Sequence, residues 1–300
     1  MGRTKVGAGL IAALPWCVWL WCGCSRPAAD RAITVGSKNF TEQVVLGEII
    51  AQHLEHRLHR PVERRLNLGG TLLAHQALLS GQIDLYPEYT GTALAAILKD
   101  STVPAGSAAA LARVRSDYQR RFQVEWLDPL GVDNGFAIVV RGPDARRRKL
   151  ETLTDASGDS EPWTLGAGYE FEQRPDGLAA LESTYRLRFS SAPRSMDLGL
   201  LYQALEQRQV DMIAANATDG LLSKLDLKVL ADDRHAFPPY QVSIAVRQDR
   251  LRQIPGLGPA LRELSGKLTN QTMQQLNYQV DAQHRSAAQV AAGFLKQNGM

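Results

Sequence analysis

The spacing of apolar and polar residues alternates between a helical and an extended period along this chain. Apolar side chains recur at helical spacing from Val45 to Leu58, in a segment that begins near Thr41 and follows a short apolar strand at 33–35. A second helical segment, 71–81, starts at a threonine, ends at a glycine and leads into a strand at 83–86. This succession predicts an α/β fold, in which ligands bind at the carboxyl ends of strands.

The helix–strand unit occurs twice. Segment 77–85 aligns with 204–212, which lies 127 residues later, and the alignment places Tyr89 opposite Asn216. A weaker match pairs 36–43 with 166–173, since both begin at a glycine and carry Glu-Gln towards their ends. Either match alone could arise by chance, but together, in the same order and at nearly equal offsets, they predict two related α/β lobes.

Two later strands connect the predicted lobes. A turn feeds the apolar strand 136–141, which we interpret as the first crossing, and 237–247 is the return crossing. The first lobe is therefore predicted to comprise 33–135 and 242–300, with mixed strands flanked by helices, and the second lobe 136–241. Two crossings form a hinge of the kind that domain closure requires.

The amino-terminal segment differs from the rest of the chain. Arg3 and Lys5 precede an uncharged run, which ends at Cys22-Gly23-Cys24. This pattern predicts a signal peptide over 1–24 and a tether over 25–32, hence an exported protein. Gly23-Cys24 resembles a bacterial lipobox, although Trp21 departs from the usual leucine. Lipidation of Cys24 at the outer face of the cell membrane, cleavage into the periplasm without lipid, and a single-span anchor all remain open.

Composition excludes several other classes. All three cysteines, 17, 22 and 24, fall in the first segment, so the predicted exported body has no disulfide, cysteine metal site or cysteine nucleophile. The net charge of +3 falls to about +1 without Arg3 and Lys5, which leaves no electrostatic footprint for nucleic acid. No other apolar run reaches the ~20 residues of a membrane helix, so any transport channel is expected to be another chain.

Two turns have the chemistry of a binding site. The turn at 36–39 leads from a strand into a helix amino terminus, which favours an anionic group, and Lys38 adds a full charge there. Gly69 and Gly70 precede Thr71 at the start of the next helix and permit close backbone approach to a ligand. The turn at 85–92 carries two tyrosines, an acid and two threonines, and is interpreted as the lip of the site.

Several motifs in the same order resemble the substrate-binding proteins of osmoprotectant (glycine betaine, choline, carnitine) ABC transporters. They are 36–43, 69–71, 86–92, 168–171, 218–220 and 237–240. The resemblance runs from about Ile33 to the carboxyl terminus. It implies the two-lobed type II periplasmic binding protein fold, a ligand in the interlobe cleft, a monomer, and an ABC permease partner that uses the ATP. It implies no cofactor.

The resemblance also implies a division of labour within the cleft. Aromatic rings would surround a quaternary ammonium, which cannot donate hydrogen bonds and is held by ring faces. Basic or hydroxyl groups would hold a carboxylate. The residues so assigned are Tyr89, Phe136 and Tyr240 for the rings, Lys38, Thr92 and Arg174 for the carboxylate, and Gln43 and Asn134 for the polar lining.

Two positions depart from the family pattern. Asn216 stands where relatives often have tyrosine, and Phe136 stands where tyrosine is usual. One lost ring contact is worth ~0.5–2 kcal/mol, so the ligand is either a weakly bound betaine or a more polar molecule. The rings could instead pack in the core, Lys38 and Arg174 could form salt bridges, and Asn216 could be a turn residue that satisfies backbone groups.

Two further function classes compete with a transport receptor. An enzyme is disfavoured because the chain lacks Gly-x-Ser-x-Gly, Ser-x-x-Lys, His-Glu-x-x-His and Walker motifs. His53, His56 and His59 suggest a metal site by their spacing, but their charged neighbours predict a solvated polar face. A membrane-tethered ligand sensor that uses the same cleft remains the harder alternative. The sequence predicts neither catalytic residues nor a metal.

Overall fold

The structure is a computed structural model that describes residues 1, 2, 4, 31–100, 104 and 106–300. The chain divides into two compact units, Met1–Arg31 and Ala32–Met300. The hydrophobic run of the predicted signal peptide and Cys24 lie outside the described residues. Among the described helices, none is long and apolar enough to cross a membrane.

The described part of the second unit contains two five-stranded sheets. Their strands are β1 (Ile33–Gly36), β2 (Val62–Arg65), β3 (Leu85–Tyr89), β4 (Val124–Trp126), β5 (Phe136–Arg141), β6 (Leu165–Ala167), β7 (Arg194–Ser195), β8 (Met212–Asn216), β9 (Leu227–Leu230) and β10 (Val242–Arg247). The strand orders are β2-β1-β3-β10-β4 and β7-β6-β8-β5-β9. In each sheet four strands run in one direction and the fourth strand in the order, β10 or β5, is antiparallel to both of its neighbours, so the two sheets share one topology.

Helices cover both sheets. They are α1 (Thr41–Leu58), α2 (Thr71–Leu79), α3 (Thr90–Thr92), α4 (Ser107–Phe122), α5 (Gly142–Arg148), α6 (Leu153–Ser157), α7 (Tyr169–Gln173), α8 (Leu178–Tyr185), α9 (Leu198–Glu206), α10 (Gln248–Gln253), α11 (Leu257–Arg262), α12 (Asn270–Asp281) and α13 (Ala287–Gln297). A π-helix, Ala93–Leu98, continues α3, and a 3₁₀ helix spans Gly220–Ser223. The predicted α/β fold with two lobes is confirmed.

Helix α1 is the centre of the first lobe's core. Its apolar face, which includes Leu46, Ile50 and Leu54, is buried in one cluster with residues of β1, β3, β10 and the carboxyl-terminal helices. The prediction of a solvated histidine face on α1 is wrong for His53, which is fully buried and lies 2.9 Å by its Nε2 from the Ala260 carbonyl oxygen. His56 and His59 are exposed. In the described residues no acidic, histidine or cysteine cluster could hold a metal ion.

The two crossings between the lobes lie side by side. Asp133 forms an antiparallel bridge with Gln241. The amide of Asn134 donates to the Tyr240 carbonyl oxygen at 3.1 Å, and the amide of Tyr240 donates to the Asp133 carboxylate at 3.0 Å. Both connections therefore form one short ribbon, which is the kind of local connection that hinge closure requires.

The backbone conformation and the close packing at position 131, just before the first crossing, require a glycine. Its φ is +107°, and a Cβ there would lie 2.1 Å from the Leu268 carbonyl oxygen. The same loop is held by the Leu268 amide, which donates to the Leu130 carbonyl oxygen at 2.9 Å. Backbone groups on both sides of this contact are hydrogen-bonded, so neither segment can move to make room for a Cβ without breaking hydrogen bonds.

We expect Gly131→Ala to lower the free energy of unfolding by about 1–3 kcal/mol, since it combines a disfavoured φ with overpacking. The matched control is Gly293→Ala in the middle of α13, where a Cβ meets no atom within 4 Å. That change should raise the free energy by about 0.5–1 kcal/mol. Urea unfolding of both variants measures the difference, and equal effects would contradict this account.

Candidate binding site

A cleft of about 770 Å³ opens where the carboxyl ends of the parallel strands of both sheets meet. This is the edge at which α/β proteins bind ligands. Eight of the nine residues predicted to bind a ligand line it. They are Lys38, Tyr89, Thr92, Asn134, Phe136, Arg174, Asn216 and Tyr240.

Gln43 is the predicted site residue that does not line this cleft. It is fully buried, donates from Nε2 to the Pro87 carbonyl oxygen at 2.9 Å, and accepts from the Lys38 amide at 3.1 Å. Its side chain therefore ties the turn after β1 to strand β3. Gln43 holds the wall of the cleft in place and presents no polar atom from it.

Aromatic rings approach the cleft from both lobes. In the first lobe, Phe40 stacks on Tyr89 with the ring centroids 6.2 Å apart. In the second lobe, Phe136 makes edge-to-face contacts with Phe171 at 4.9 Å and with Tyr240 at 5.6 Å. Phe40 and Phe171 also line the cleft but were not among the predicted site residues. Both stand inside motifs that carried the family resemblance, which is the signal that could have identified them.

Lys38 reaches the cleft with its charge already paired. Its Nζ lies 2.5 Å from Glu88 Oε1 and 4.9 Å from the centroid of the Tyr89 ring. Glu88 is fully buried and also accepts from the Tyr86 hydroxyl at 3.0 Å and from the Tyr89 amide at 2.7 Å. The ion pair fixes Lys38 beside the ring, where both can act on one ligand.

Arg174 is held in the same manner in the second lobe. Its Nε and Nη2 donate to the two oxygens of Asp176 at 2.9 and 2.5 Å, and the Tyr240 hydroxyl donates to Asp176 at 2.7 Å. The guanidinium carbon lies 5.0 Å from the Phe136 ring centroid and 5.7 Å from that of Tyr240. Burial alone would lower the pKa of Arg174, but the Asp176 carboxylate outweighs it and raises the pKa.

Glu170, on α7, connects the lobes across the mouth of the cleft. Its carboxylate accepts from the amide of Thr71 at 2.5 Å and from the Thr71 hydroxyl at 3.0 Å. Burial would raise the pKa of Glu170, but the Lys38 charge and the Thr71 donors together lower it. Gly70 permits the contact, because a Cβ there would lie 2.5 Å from Glu170 Oε1. Of the two glycines predicted to admit a ligand, Gly70 thus admits a side chain of the opposite lobe, whereas a Cβ at Gly69 would meet Leu73.

Glu42 is the main residue that sequence reasoning missed. It is buried, and its carboxylate accepts from the Tyr89 hydroxyl at 2.7 Å, from Asn134 Nδ2 at 2.9 Å and from the Thr218 hydroxyl. These donors belong to the first lobe, the first crossing and the second lobe. Burial raises the pKa of Glu42 despite the hydrogen bonds, which act in the opposite direction. Burial also raises the pKa of Tyr89.

Asn134 belongs to this network, whereas Asn216 bonds a different carboxylate. Asn134 accepts from the Thr218 amide at 3.2 Å through Oδ1 while its Nδ2 donates to Glu42. Asn216 donates from its amide to Asp219 Oδ2 at 3.1 Å, and its Nδ2 lies 3.4 Å from Asp219 Oδ1. Its side chain therefore faces a carboxylate, while its carbonyl oxygen accepts from the Asp219 amide at 3.0 Å and so begins a turn.

Comparison with known proteins identifies the family. Residues 31–297 match the family model described as the substrate-binding domain of an ABC-type glycine betaine transport system. The chain is 34% identical over 282 residues to the ergothioneine transport permease/ergothioneine binding protein EgtU of Helicobacter pylori, covering 94% of this chain and 50% of that protein. The chain thus spans about half the length of this curated relative.

Two other similar proteins match along nearly their whole length. The carnitine transport binding protein OpuCC of Listeria monocytogenes is 32% identical over 281 residues, which cover 92% of this chain and 91% of that one. A solved structure titled as a glycine betaine/carnitine/choline ABC transporter has a TM-score of 0.75 at 30% identity, covering 89% of this chain and 98% of that one. The family resemblance is confirmed, as is the prediction that the chain is not an enzyme.

The raised pKa of Glu42 predicts a specific pH dependence of stability. A folded carboxyl with a raised pKa binds its proton more tightly than the unfolded chain does, so its contribution is present below about pH 4.3 and is lost as the pH rises through the raised value. We therefore expect the stability of Glu42→Gln relative to wild type to increase between pH 4 and pH 8.

Urea unfolding across this pH range measures the effect. The test is how the difference in free energy of unfolding between variant and wild type changes with pH, and not the size of that difference at one pH. Glu182→Gln, at an exposed position on α8, controls for the loss of one surface carboxylate and should run parallel to wild type. Parallel profiles for Glu42→Gln would show that Glu42 ionises in the folded protein as it does in the unfolded chain.

Proposed function

This chain belongs to the family of substrate-binding domains of ABC-type glycine betaine transport systems, and we propose that it captures a quaternary-ammonium solute outside the cytoplasm and delivers it to an ABC permease. The observation that carries the proposal is the convergence of aromatic rings from both lobes with two cations in one cleft, of which Lys38 is buried and Arg174 has a side chain only 10% exposed. The nine predicted residues, Gln43 in a supporting position, are proposed to form or hold this site.

Ring faces supply the part of the site that a trimethylammonium group needs. Such a group has no hydrogen to donate, so it gains most from the negative face of an aromatic ring. Tyr89 and Phe40 offer rings from the first lobe, and Phe136, Phe171 and Tyr240 offer rings from the second. A ligand held between the two groups of rings would favour the closed arrangement of the lobes, because only closure brings both groups to it.

Arg174 supplies the part that a carboxylate needs. Its Nε and Nη2 are occupied by Asp176, while its Nη1 lies 3.7 Å from Glu170, beyond hydrogen-bond distance. Nη1 is therefore the donor most available to a ligand, and Thr92 and Lys38 line the same cleft from the first lobe. Arginine is suited to this task because it stays charged when buried and donates in a fixed plane.

The size of the cleft supports a second candidate ligand. A cavity of about 770 Å³ lies in the range of sites for drug-sized molecules, and glycine betaine would fill only a small part of it. Ergothioneine carries a trimethylammonium and a carboxylate like a simple betaine, but it is longer and has a polar ring. Asn216 adds a polar surface to the cleft wall, which favours such a ligand over the smallest betaine.

Several accompanying features are proposed on the same basis. The predicted signal peptide and lipobox support a proposed location in the periplasm or, through lipidated Cys24, at the outer face of the cell membrane. The lobes are proposed to comprise 33–135 with 242–300, and 136–241. The receptor is proposed to act as a monomer, without cofactor, and the permease complex rather than this chain would use ATP.

Calorimetric titration of the purified protein with glycine betaine, choline, carnitine and ergothioneine tests the proposal. We expect saturable binding of at least one of them. Tyr89→Leu should weaken it by up to roughly thirtyfold, because a cation–π contact contributes ~0.5–2 kcal/mol. Tyr89→Phe keeps the ring and loses the hydroxyl bonded to Glu42, so it separates the two contributions. Absence of binding by all four ligands would contradict the proposal.

The carboxylate site is tested by Arg174→Ala. We expect it to weaken ligands that carry a carboxylate by roughly 10- to 100-fold, as is usual for a hydrogen bond to a charged group, and to leave choline nearly unchanged. Arg148→Ala is the matched control, since Arg148 pairs with Asp159 and stacks on Trp163 at 3.8 Å but does not line the cleft. Equal losses for choline and the carboxylate ligands would assign Arg174 to packing instead.

A further inference from the structure

One part of the cleft lining is aliphatic and has no role in the proposed function. Its five side chains are only partly buried, so they present apolar surface to the cleft. They are Val44, Val280 and Ala287 from the first lobe, and Met196 and Leu198 from the second. We call these five residues the aliphatic wall. Apolar surface inside a concave site is where a protein binds an apolar group of its ligand.

The first-lobe part of the aliphatic wall begins at the aromatic rings. Phe40 lines the cleft and stacks on Tyr89 with the ring centroids 6.2 Å apart. The Val44 amide donates to the Phe40 carbonyl oxygen at 3.2 Å, so Val44 follows Phe40 one helical turn later on the same side of α1. The aliphatic wall is therefore continuous with the ring surface and belongs to the same cavity.

The ends of two carboxyl-terminal helices complete this part of the wall. Asp281, the last residue of α12, accepts from the Thr41 hydroxyl at 2.5 Å, so the end of α12 lies against the start of α1. Val280 precedes Asp281 in α12, and Ala287 is the first residue of α13. Both pack against the same core cluster as Phe40. The aliphatic side chains of the first lobe thus come from neighbouring helix ends.

The second-lobe part of the aliphatic wall is fixed to the end of strand β6. The Met196 amide donates to the Ala167 carbonyl oxygen at 3.0 Å. Leu198 packs against Gly168, where a Cβ would lie only 2.7 Å from the Leu198 Cδ2. Met196 and Leu198 also pack against the apolar cluster beneath α9. Their positions are therefore set by the fold of the second lobe.

A small cavity beside the cleft shows that the two parts of the wall face each other. It has a volume of about 190 Å³ and is lined by Leu198 of the second lobe together with Phe40, Thr41 and Asp281 of the first. Leu198 and Phe40 line the main cleft as well. An apolar group between the two parts would have its surface removed from water on both sides, which is the condition for a hydrophobic gain.

The charges near the aliphatic wall select for an uncharged group. Among the described residues that line the cleft, the cations are Lys38 and Arg174, and both lie beside aromatic rings of the proposed site. The aliphatic wall is flanked by acids instead, because Asp197 directly precedes Leu198 and Asp281 ends α12. A carboxylate placed there would lose water without gaining a cation.

We propose that the aliphatic wall binds an uncharged apolar arm of the ligand, so that the substrate class is a betaine extended by a short acyl or alkyl chain. This inference rests on the proposed function, which assigns the ammonium to the rings and the carboxylate to Arg174. A ligand with three such parts accounts for a cleft of about 770 Å³, of which glycine betaine would fill only a small part. The names of the relatives compared above include no ligand with an aliphatic chain of this kind.

Calorimetric titration of the protein with carnitine and its O-acetyl, O-butyryl and O-hexanoyl esters tests the proposal. We expect binding to tighten along the ester series by roughly three- to fourfold for each methylene that the wall removes from water. The O-glutaryl ester, whose chain ends in a carboxylate, should lose this gain. Unchanged or weaker binding from the O-acetyl to the O-hexanoyl ester would overturn the proposal, and so would an equal gain for the O-glutaryl ester.

Leu198→Ala and Val280→Ala test the two parts of the wall separately. Each should reduce the gain from the O-acetyl to the O-hexanoyl ester by roughly three- to tenfold, because it removes aliphatic contacts, and should leave carnitine nearly unchanged. Leu200→Ala is the matched control, since Leu200 lies on the same helix, is 51% exposed and does not line the cleft. Val280→Ala keeps the test valid if Leu198→Ala disturbs α9. A full gain in both variants would overturn the proposal.

The same titrations distinguish this proposal from the proposed function. Binding of carnitine, glycine betaine, choline or ergothioneine without a gain along the ester series would overturn the apolar arm alone. Absence of binding by all of these ligands and esters would overturn both. Binding of the O-hexanoyl ester without binding of carnitine would support the apolar arm and make the extended betaine the preferred substrate.

Discussion

A charged side chain that is removed from water needs an ion-pair or hydrogen-bond partner, and this constraint determines the arrangement of the cleft. Lys38 forms an ion pair with Glu88, which also accepts hydrogen bonds from the Tyr86 hydroxyl and the backbone amide of Tyr89. Arg174 is met by Asp176, which also holds the Tyr240 hydroxyl. In both lobes, the partner that neutralises the cation is therefore tied to an aromatic ring of the site. Ring and cation are positioned by the same carboxylate, so neither can move without the other.

This coupling makes the cleft a preorganised surface. A ligand that enters would meet rings and donors already fixed, and would lose less free energy to ordering them. The closing contacts follow the same rule, because Glu170 satisfies the amino terminus of α2 and Glu42 collects donors from both lobes. The acids that neutralise the site also connect its two halves. In the proposed function, closure would exchange protein contacts for ligand contacts and would be biased by the difference in free energy between them.

The fold could be predicted from the sequence because it depends on local patterns. Helical and extended periods located the strands and the internal repeat indicated two lobes, whereas the assignment of Tyr89, Phe136 and Asn216 to the cleft came from the family resemblance of their motifs. Glu42 and Glu170 were missed because their roles depend on partners far away in the chain, Thr218 and Thr71. Gln43 was assigned to the ligand because the motif fixes its position in the chain and not the direction of its side chain. Such pairings are properties of the packed structure, and no spacing in the sequence encodes them.

The place of β10 has a consequence for how the protein acquires its shape. This strand lies between β3 and β4 in the first sheet, yet it follows the whole second sheet in the chain. As the polypeptide emerges from its amino-terminal end, the second lobe receives all of its strands before the first lobe receives β10, the strand that joins β3 to β4. The lobe that begins first is thus completed last, and until then β3 and β4 present open edges of the kind that invite unwanted pairing. The topology that builds the hinge therefore also sets the order of assembly and the interval of greatest exposure to aggregation.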